Sequence, residues 1–160
     1  MADDTGIDLP DVFRAGSLGD RYLGVIPIAQ SIAIDATLVI LVAIERCSSR
    51  SLILLRMPRR HPVDPQSPLG GEPWPSLALA ATDDVGTSYR VTNIGGRGTD
   101  TDYLLEFAMA PTIPDEAQGL EIVIDRLSWA DVSTWEYTQT FTGPWRFTVD
   151  LSSGTPARPT

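Results

Sequence analysis

Two apolar runs separated by a short polar break constrain the fold of this chain more than any other feature. Residues 37–46 and residues 51–57 are rich in Val, Ile and Leu, and Cys47-Ser48-Ser49-Arg50 lies between them. Two such runs joined by a short polar turn are typical of a β-hairpin. The sequence therefore predicts that residues 38–57 form an antiparallel hairpin.

Both faces of this predicted hairpin are apolar. A sheet with one solvent-facing side should alternate apolar and polar residues, and these two strands do not. One face must pack into the core, and something must cover the other. By parity, the two faces are Leu38, Ile40, Val42, Ile44, Leu52 and Leu54 on one side, and Val39, Leu41, Ala43, Ile53, Leu55 and Met57 on the other.

Two candidates can cover the outer face. The first is the N-terminal segment, through Ile7, Leu9, Val12 and Phe13. The second is another protein, a second copy of this chain included, because large exposed apolar patches usually mark interfaces. The basic cluster at the end of the second strand either adds contacts to carboxylates or phosphates of that partner or is a solvated strand end; its members are Arg56, Arg59, Arg60 and His61. The predicted interface comprises Val39, Leu41, Ile53, Leu55, Met57, Arg56, Arg59 and Arg60.

Short alternating segments separated by turns continue through the rest of the chain. In residues 146–151, Phe147, Val149 and Leu151 alternate with polar side chains, which predicts a strand. After Arg126 the alternation shifts by one residue, which indicates a bulge or a strand end. The glycine-rich residues 93–101 are predicted to form a loop.

The spacing of these segments predicts an all-β protein. About seven to nine short strands with turns between them favour an antiparallel β-sandwich, with an antiparallel barrel as the alternative. The predicted organisation is an N-terminal arm (residues 1–21), a β-sandwich domain (residues 22–151) and a disordered tail (residues 152–160).

Two segments carry a resemblance to a known group of domains. The turn at residues 83–89 and the closing Gly143-Pro144-Trp145-Arg146-Phe147 resemble the uncharacterised immunoglobulin-like β-sandwich domains of bacterial, actinobacterial-type proteins. The resemblance covers residues 22–151 and implies an immunoglobulin-like fold. Such domains occur alone or as extracytoplasmic parts of larger membrane proteins. The matching motifs are turn and core signatures, so the resemblance implies no catalytic residues.

The composition narrows the classes of partner. The 160 residues carry a net charge of −9, and such a surface repels the phosphates of nucleic acids and anionic lipids. Residues 1–4 are not basic, and the apolar residues 38–44 are too few to span a bilayer. We therefore expect a cytoplasmic protein that binds neither nucleic acid nor membrane.

The chain offers little for catalysis. His61 is the only histidine, and it lies among prolines, where a position in a surface loop is expected. Cys47 is the only cysteine, which rules out an intramolecular disulfide and predicts a buried, unreactive thiol. These features predict a protein without enzymatic activity.

The acidic turns are candidates for a calcium site. Asp83 and Asp84, and separately Asp100 and Asp102, lie in predicted turns, where carboxylates and backbone carbonyls can together bind Ca²⁺. The alternative is that these residues build turns without any ion. Calcium is therefore the one cofactor that the sequence suggests.

The tryptophans are candidates for carbohydrate binding. In a sandwich, tryptophans usually fill the core or its ends, and this is expected of Trp145. Trp129 and Trp135 lie in an irregular stretch, where an exposed ring can stack on a sugar.

These patterns lead to two functional hypotheses. The first is a non-enzymatic protein-interaction or assembly module that uses the apolar hairpin as its interface, possible partners including a second copy in a homodimer. The second is a ligand-binding sandwich that holds Ca²⁺ or carbohydrate in its loops.

Overall fold

The computed structural model describes residues 20–59, 73–153 and 155–156. Most of the predicted N-terminal arm, including Ile7, Leu9, Val12 and Phe13, lies outside the described residues. The same is true of Arg60, His61 and the last four residues of the predicted tail.

The described residues form strands almost throughout, which confirms the prediction of an all-β protein. The strands are β1 (Tyr22–Ile34), β2 (Thr37–Cys47), β3 (Ser51–Pro58), β4 (Pro73–Asp83), β5 (Arg90–Gly98), β6 (Asp102–Ala110), β7 (Gly119–Asp131), β8 (Tyr137–Asp150) and the two-residue β9 (Thr155–Pro156). A single turn of 3₁₀ helix covers Leu151–Ser153. Within the described part of the chain no helix is long and apolar enough to cross a membrane.

The strands form two separate antiparallel sheets. The larger sheet has the order β5-β6-β3-β2-β1-β9, and the smaller sheet has the order β4-β7-β8. Strands β2 and β3 pair as the predicted hairpin. Because the two sheets keep separate edges, the alternative of a closed antiparallel barrel is wrong.

The core lies between the two sheets. The alternating residues of each strand that point inward are apolar, so both inner faces are dry. The largest fully buried side chains are Phe107, Phe147, Ile34, Leu41, Ile44, Ile53, Leu55, Met57, Leu105, Met109, Leu120 and Ile122. The hairpin therefore supplies a large part of the core from the larger sheet.

The assignment of the hairpin faces is corrected by this packing. Val39, Leu41, Ile53, Leu55 and Met57, predicted to form an interface, are only 0–2% exposed and lie between the sheets. The reason is that both parities are equally apolar, so the alternation alone does not say which one faces the second sheet. A bulge between Leu41 and Ala43 then moves Ile44 to the inner face as well.

Two further differences concern strand ends. The glycine-rich residues 93–98, predicted to be a loop, belong to β5 and pair with β6 as an edge strand. Part of the predicted disordered tail is strand β9, which pairs with Gly24 and Val25.

The predicted shift of alternation near Arg126 is confirmed by a register shift between Ile124 and Arg126.

Candidate functional site

The outer face of the larger sheet carries the apolar residues that the core does not use. We call the outward-pointing side chains of β2, β3, β5 and β6 the outer face. Leu38 and Val42 are each 40% exposed, and the other apolar residues of this face are partly exposed. The apolar members of the outer face are Leu38, Ile40, Val42, Leu52, Leu54, Leu104 and Ala108.

An open depression of about 320 Å³ lies in this outer face. Val42, Leu54 and Leu104 contribute apolar walls, and Arg97 and Glu106 contribute one charge of each sign. The depression lies where the bulge in β2 and a second bulge in β5, between Asn93 and Gly95, interrupt regular pairing. Bulges bend a strand locally, which explains a hollow in an otherwise flat sheet.

The charges of the outer face are balanced, unlike those of the whole protein. Both signs are present in equal number, and Arg56 Nε lies 3.5 Å from Asp102 Oδ1. By their positions in the pairing register, the outward charged residues are Glu45, Asp102 and Glu106 against Arg56, Arg90 and Arg97. Three negative and three positive charges on one face contrast with a net charge of −9 for the chain.

The predicted arginine cluster is divided by the structure. Arg56 points outward and pairs with Asp102. Arg59 instead donates a hydrogen bond of 2.6 Å from Nε to the carbonyl oxygen of Thr99, and its guanidinium lies 4.4 Å from the centre of the Tyr103 ring. This cation–π contact holds the chain that follows β3 against Tyr103 of β6, so Arg59 has a structural role.

The carboxylate of Asp83 organises the β4–β5 turn. Its Oδ1 accepts hydrogen bonds from the backbone N–H groups of Val85 (3.1 Å) and Thr87 (2.8 Å), and its Oδ2 accepts one from the Tyr89 hydroxyl (2.6 Å). Burial alone would raise the pKa of Asp83, but these hydrogen bonds outweigh it and lower the pKa. Burial and the hydrogen bond to Asp83 raise the pKa of Tyr89. Gly86 completes the turn at φ +81°, which glycine adopts without strain.

The four predicted metal ligands are not brought together. Asp84 accepts hydrogen bonds from the Gln118 backbone N–H, and Asp102 pairs with Arg56. The turn with Asp83 and Asp84 and the turn with Asp100 and Asp102 lie at opposite ends of β5, about 30 Å apart at 3.3 Å per residue. Within the described ranges, no three His, Cys, Asp or Glu side chains are placed to hold a metal ion.

Asp83 leads to a prediction about acid stability. Because its pKa is lower in the folded chain than in the unfolded chain, its contribution is complete above the unfolded value of about 4 and is lost as the pH falls below it. We expect Asp83→Asn to lower the free energy of unfolding at pH 7 by about 1–2 kcal/mol, with a smaller penalty at pH 3. Urea denaturation at both pH values measures the difference. Asp100→Asn, at an exposed position, controls for loss of one charge. An equal penalty for Asp83→Asn at both pH values contradicts the assignment.

Cys47 lies at the end of β2 and is partly buried. Burial raises the pKa of its thiol, and the carboxylates of Asp20 and Glu45 raise it further. A raised pKa leaves little thiolate at neutral pH, and the thiolate is the nucleophile.

The aromatic residues separate into a buried and an exposed group. Trp129 is buried (6% exposed) and packs edge-on against Tyr103, with 5.9 Å between ring centres, so the expectation that it is exposed is wrong. Trp74 packs edge-on against the same tyrosine at 5.3 Å. Trp135 is 66% exposed, in agreement with the sequence-based expectation, and Tyr137 is 60% exposed. The sequence reasoning missed Tyr137, although it lies two residues from Trp135 at the start of β8.

Comparison with known proteins gives a likeness of fold. No family model matches the chain, and no curated protein matches it. A solved structure described as the crystal structure of the conserved domain protein from Bacillus anthracis is similar, with a TM-score of 0.53 and 11% sequence identity. The match covers 82% of this chain and 48% of that chain, so this chain spans about half the length of that protein. At this identity the likeness concerns the all-β fold alone.

Proposed function

We propose that this chain is a non-enzymatic assembly module that binds a second copy of itself through the outer face of the larger sheet. The observation that carries the proposal is an apolar outer face with balanced charges on an otherwise strongly acidic protein. Strands β2 and β3 form its centre, so the proposal keeps the predicted hairpin as the interface but uses its opposite side.

The size of the outer face supports an interface. Four strands of about eight residues cover about 500 Å² in projection, given the usual strand spacing and rise. A standard interface buries about 800 Å² of accessible surface on each partner. The outer face is therefore large enough for most of one side of a stable dimer.

The charges favour a second copy as the partner. Across a two-fold axis the same patch meets itself, so each arginine of the patch must find a carboxylate of the same patch. Arg56, Arg97, Glu45 and Glu106 provide both signs. Elsewhere the net negative charge opposes contact between two copies.

We further propose that strands β2–β8 form an immunoglobulin-like sandwich. In support, the order β2-β3-β6-β5 opposite β4-β7-β8 corresponds to the order ABED opposite CFG of a constant-type immunoglobulin domain. Strands β1 and β9 would then extend the first sheet at its edge. The chain departs from antibody domains in having a single cysteine, and hence no disulfide between the sheets. An experimental structure in which β4 pairs with β5 instead of β7 would contradict this assignment.

The dimer proposal is tested by light scattering on the full chain over a dilution series. We expect a concentration-dependent mass that reaches twice 17.4 kDa. Val42→Asp should raise the dissociation constant at least about tenfold, because a charge in the centre of the patch must be desolvated.

Val85→Asp is the matched control, since Val85 is also an exposed valine (51%) but lies in the β4–β5 turn. It should leave the dissociation constant unchanged. A wild-type chain that stays monomeric up to about 1 mM, a concentration at which even weak association is detected, overturns the proposal. A dimer that weakens equally with both variants would place the interface elsewhere and overturn it too.

A further inference from the structure

The connection between β7 and β8 presents two exposed aromatic rings. Trp135 (66% exposed) and Tyr137 (60% exposed) are the most exposed large apolar side chains of the described residues. They lie on the smaller sheet, away from the outer face of the larger sheet. Exposure of large aromatic rings to water costs free energy that a bound partner would recover by burying them, so an exposed pair is a candidate binding surface.

The turn holds Trp135 in a fixed and strained conformation. Its φ is +58°, a region that bulky residues rarely adopt. Asp131 stabilises the turn through both its side chain and its backbone. Its Oδ1 accepts hydrogen bonds from the backbone N–H groups of Ser133 (2.8 Å) and Thr134 (3.3 Å). The backbone carbonyl oxygen of Asp131 accepts a hydrogen bond from the N–H of Trp135 (2.7 Å). Strain retained by such a network is a common feature of ligand sites. The backbone that carries the ring is thus held in place before any ligand arrives.

Both rings border a cleft of about 250 Å³. The other walls come from β4, β5 and β7, so both sheets contribute to the cleft. Its lining residues are Trp74, Pro75, Ser76, Asn93, Ala130, Trp135 and Tyr137. This volume is below the roughly 300 Å³ at which sites for drug-sized ligands begin, so the cleft is suited to a single ring-sized group.

The chemistry of the lining is aromatic and neutral. No charged residue is among the described residues that line the cleft. Ser76 brings a hydroxyl, and Asn93 brings an amide whose Oδ1 accepts a hydrogen bond from Gly95 N at 3.1 Å, which orients the amide. Among the described residues, no acceptor takes the hydrogens of Asn93 Nδ2. The site therefore offers ring faces beside neutral hydrogen-bonding groups.

We propose that this cleft binds a neutral glycan. One pyranose ring lies with its C–H face against Trp135, and its hydroxyl groups exchange hydrogen bonds with Ser76 and Asn93. A sugar ring has both an apolar face and a polar edge, which matches this lining. A charged ligand would lack a counter-charge in the cleft, and a proline-rich peptide in an extended helix, at 3.1 Å per residue, needs a longer groove.

The test is a titration of the full chain with four neutral oligosaccharides: cellohexaose, xylohexaose, chitohexaose and maltohexaose. Binding is followed through the NMR signals of the indole N–H groups, which report each tryptophan separately. We expect at least one of the four to bind saturably below about 10 mM and to shift the Trp135 signal. Dimerisation should be unaffected, so this proposal and the assembly proposal fail independently.

Trp135→Asn is the decisive variant, because asparagine tolerates positive φ while the ring is removed. We expect Trp135→Asn to raise the dissociation constant for the oligosaccharide at least about tenfold, because the ring on which the sugar stacks is lost. Tyr22→Ala is the matched control, since Tyr22 is 57% exposed but does not line the cleft. Absence of saturable binding for all four oligosaccharides overturns the proposal. So does binding that survives Trp135→Asn, or binding of a decaproline peptide in place of every glycan.

Discussion

Leu41→Asp should prevent folding, whereas Val42→Asp, one residue further along β2, should leave the fold intact. Leu41 is fully buried (0% exposed) between the sheets, opposite Leu55 in the pairing register. An unpaired carboxylate at that position must either lose its hydration or take up a proton, and either costs more than about 4 kcal/mol. Most domains are stable by about 5–15 kcal/mol, so this one change removes free energy on the scale of the whole stability.

The measurement is circular dichroism with urea denaturation, on dilute protein so that association does not contribute. We expect Leu41→Asp to lack a cooperative transition. Val42 is 40% exposed, so the carboxylate of Val42→Asp stays hydrated in the folded chain. The urea midpoint of this variant should therefore be close to that of the wild type. If Leu41→Asp kept a cooperative transition and Val42→Asp lost it, the inner and outer faces of the hairpin would be exchanged, as the sequence-based interface assignment implied.

Gly143→Ala should destabilise the protein by about 3 kcal/mol, the upper end of the usual cost of overpacking. A Cβ atom at Gly143 would contact the carbonyl oxygen of Ile124 and the backbone nitrogen of Trp145, the latter at 2.9 Å. Both are backbone atoms, so no side-chain rotation relieves the contact. The close approach occurs beside the register shift between Ile124 and Arg126.

Gly119→Ala is the matched control, since Gly119 also lies in the β7–β8 pair and a Cβ there meets no atom within 4 Å. The transition temperatures of Gly143→Ala and Gly119→Ala in thermal unfolding are compared, and that of Gly143→Ala should be the lower. Equal transition temperatures would show that the strands can separate at Gly143 at little cost, contrary to the expectation.

Several elements could be predicted because local sequence patterns alone specify them. The β2–β3 hairpin, the strand at residues 146–151 and the shift of alternation at Arg126 are each visible in a few consecutive residues, and each is present in the structure. The strand over residues 93–98 was missed, because its glycines have no strand propensity and pair only through the backbone of β6.

The candidate sites were less predictable, because they depend on what lies across a sheet or a turn. Asp83 was singled out as a metal ligand, yet its carboxylate is occupied by Tyr89, Thr87 and Val85. That role follows from the shape of the turn, which residue type alone does not specify. Trp135 was a candidate for an exposed ring, but the cleft beside it requires β4 and β5 to lie alongside β7 and β8.

Local patterns in the amino-acid sequence are sufficient to specify that the chain is all-β, that residues 38–57 form a hairpin and that this hairpin is apolar on both faces. These properties follow from side-chain composition at a spacing of two residues, which is local information. Packing between the two sheets selects which of these faces becomes the core. Val39, Leu41, Ile53, Leu55 and Met57 are buried because the second sheet packs on their side, while Leu38 and Val42 remain exposed on the other. The physical reason is that two equally apolar faces have nearly equal free energies of burial, so the choice depends on contacts with strands distant in the sequence.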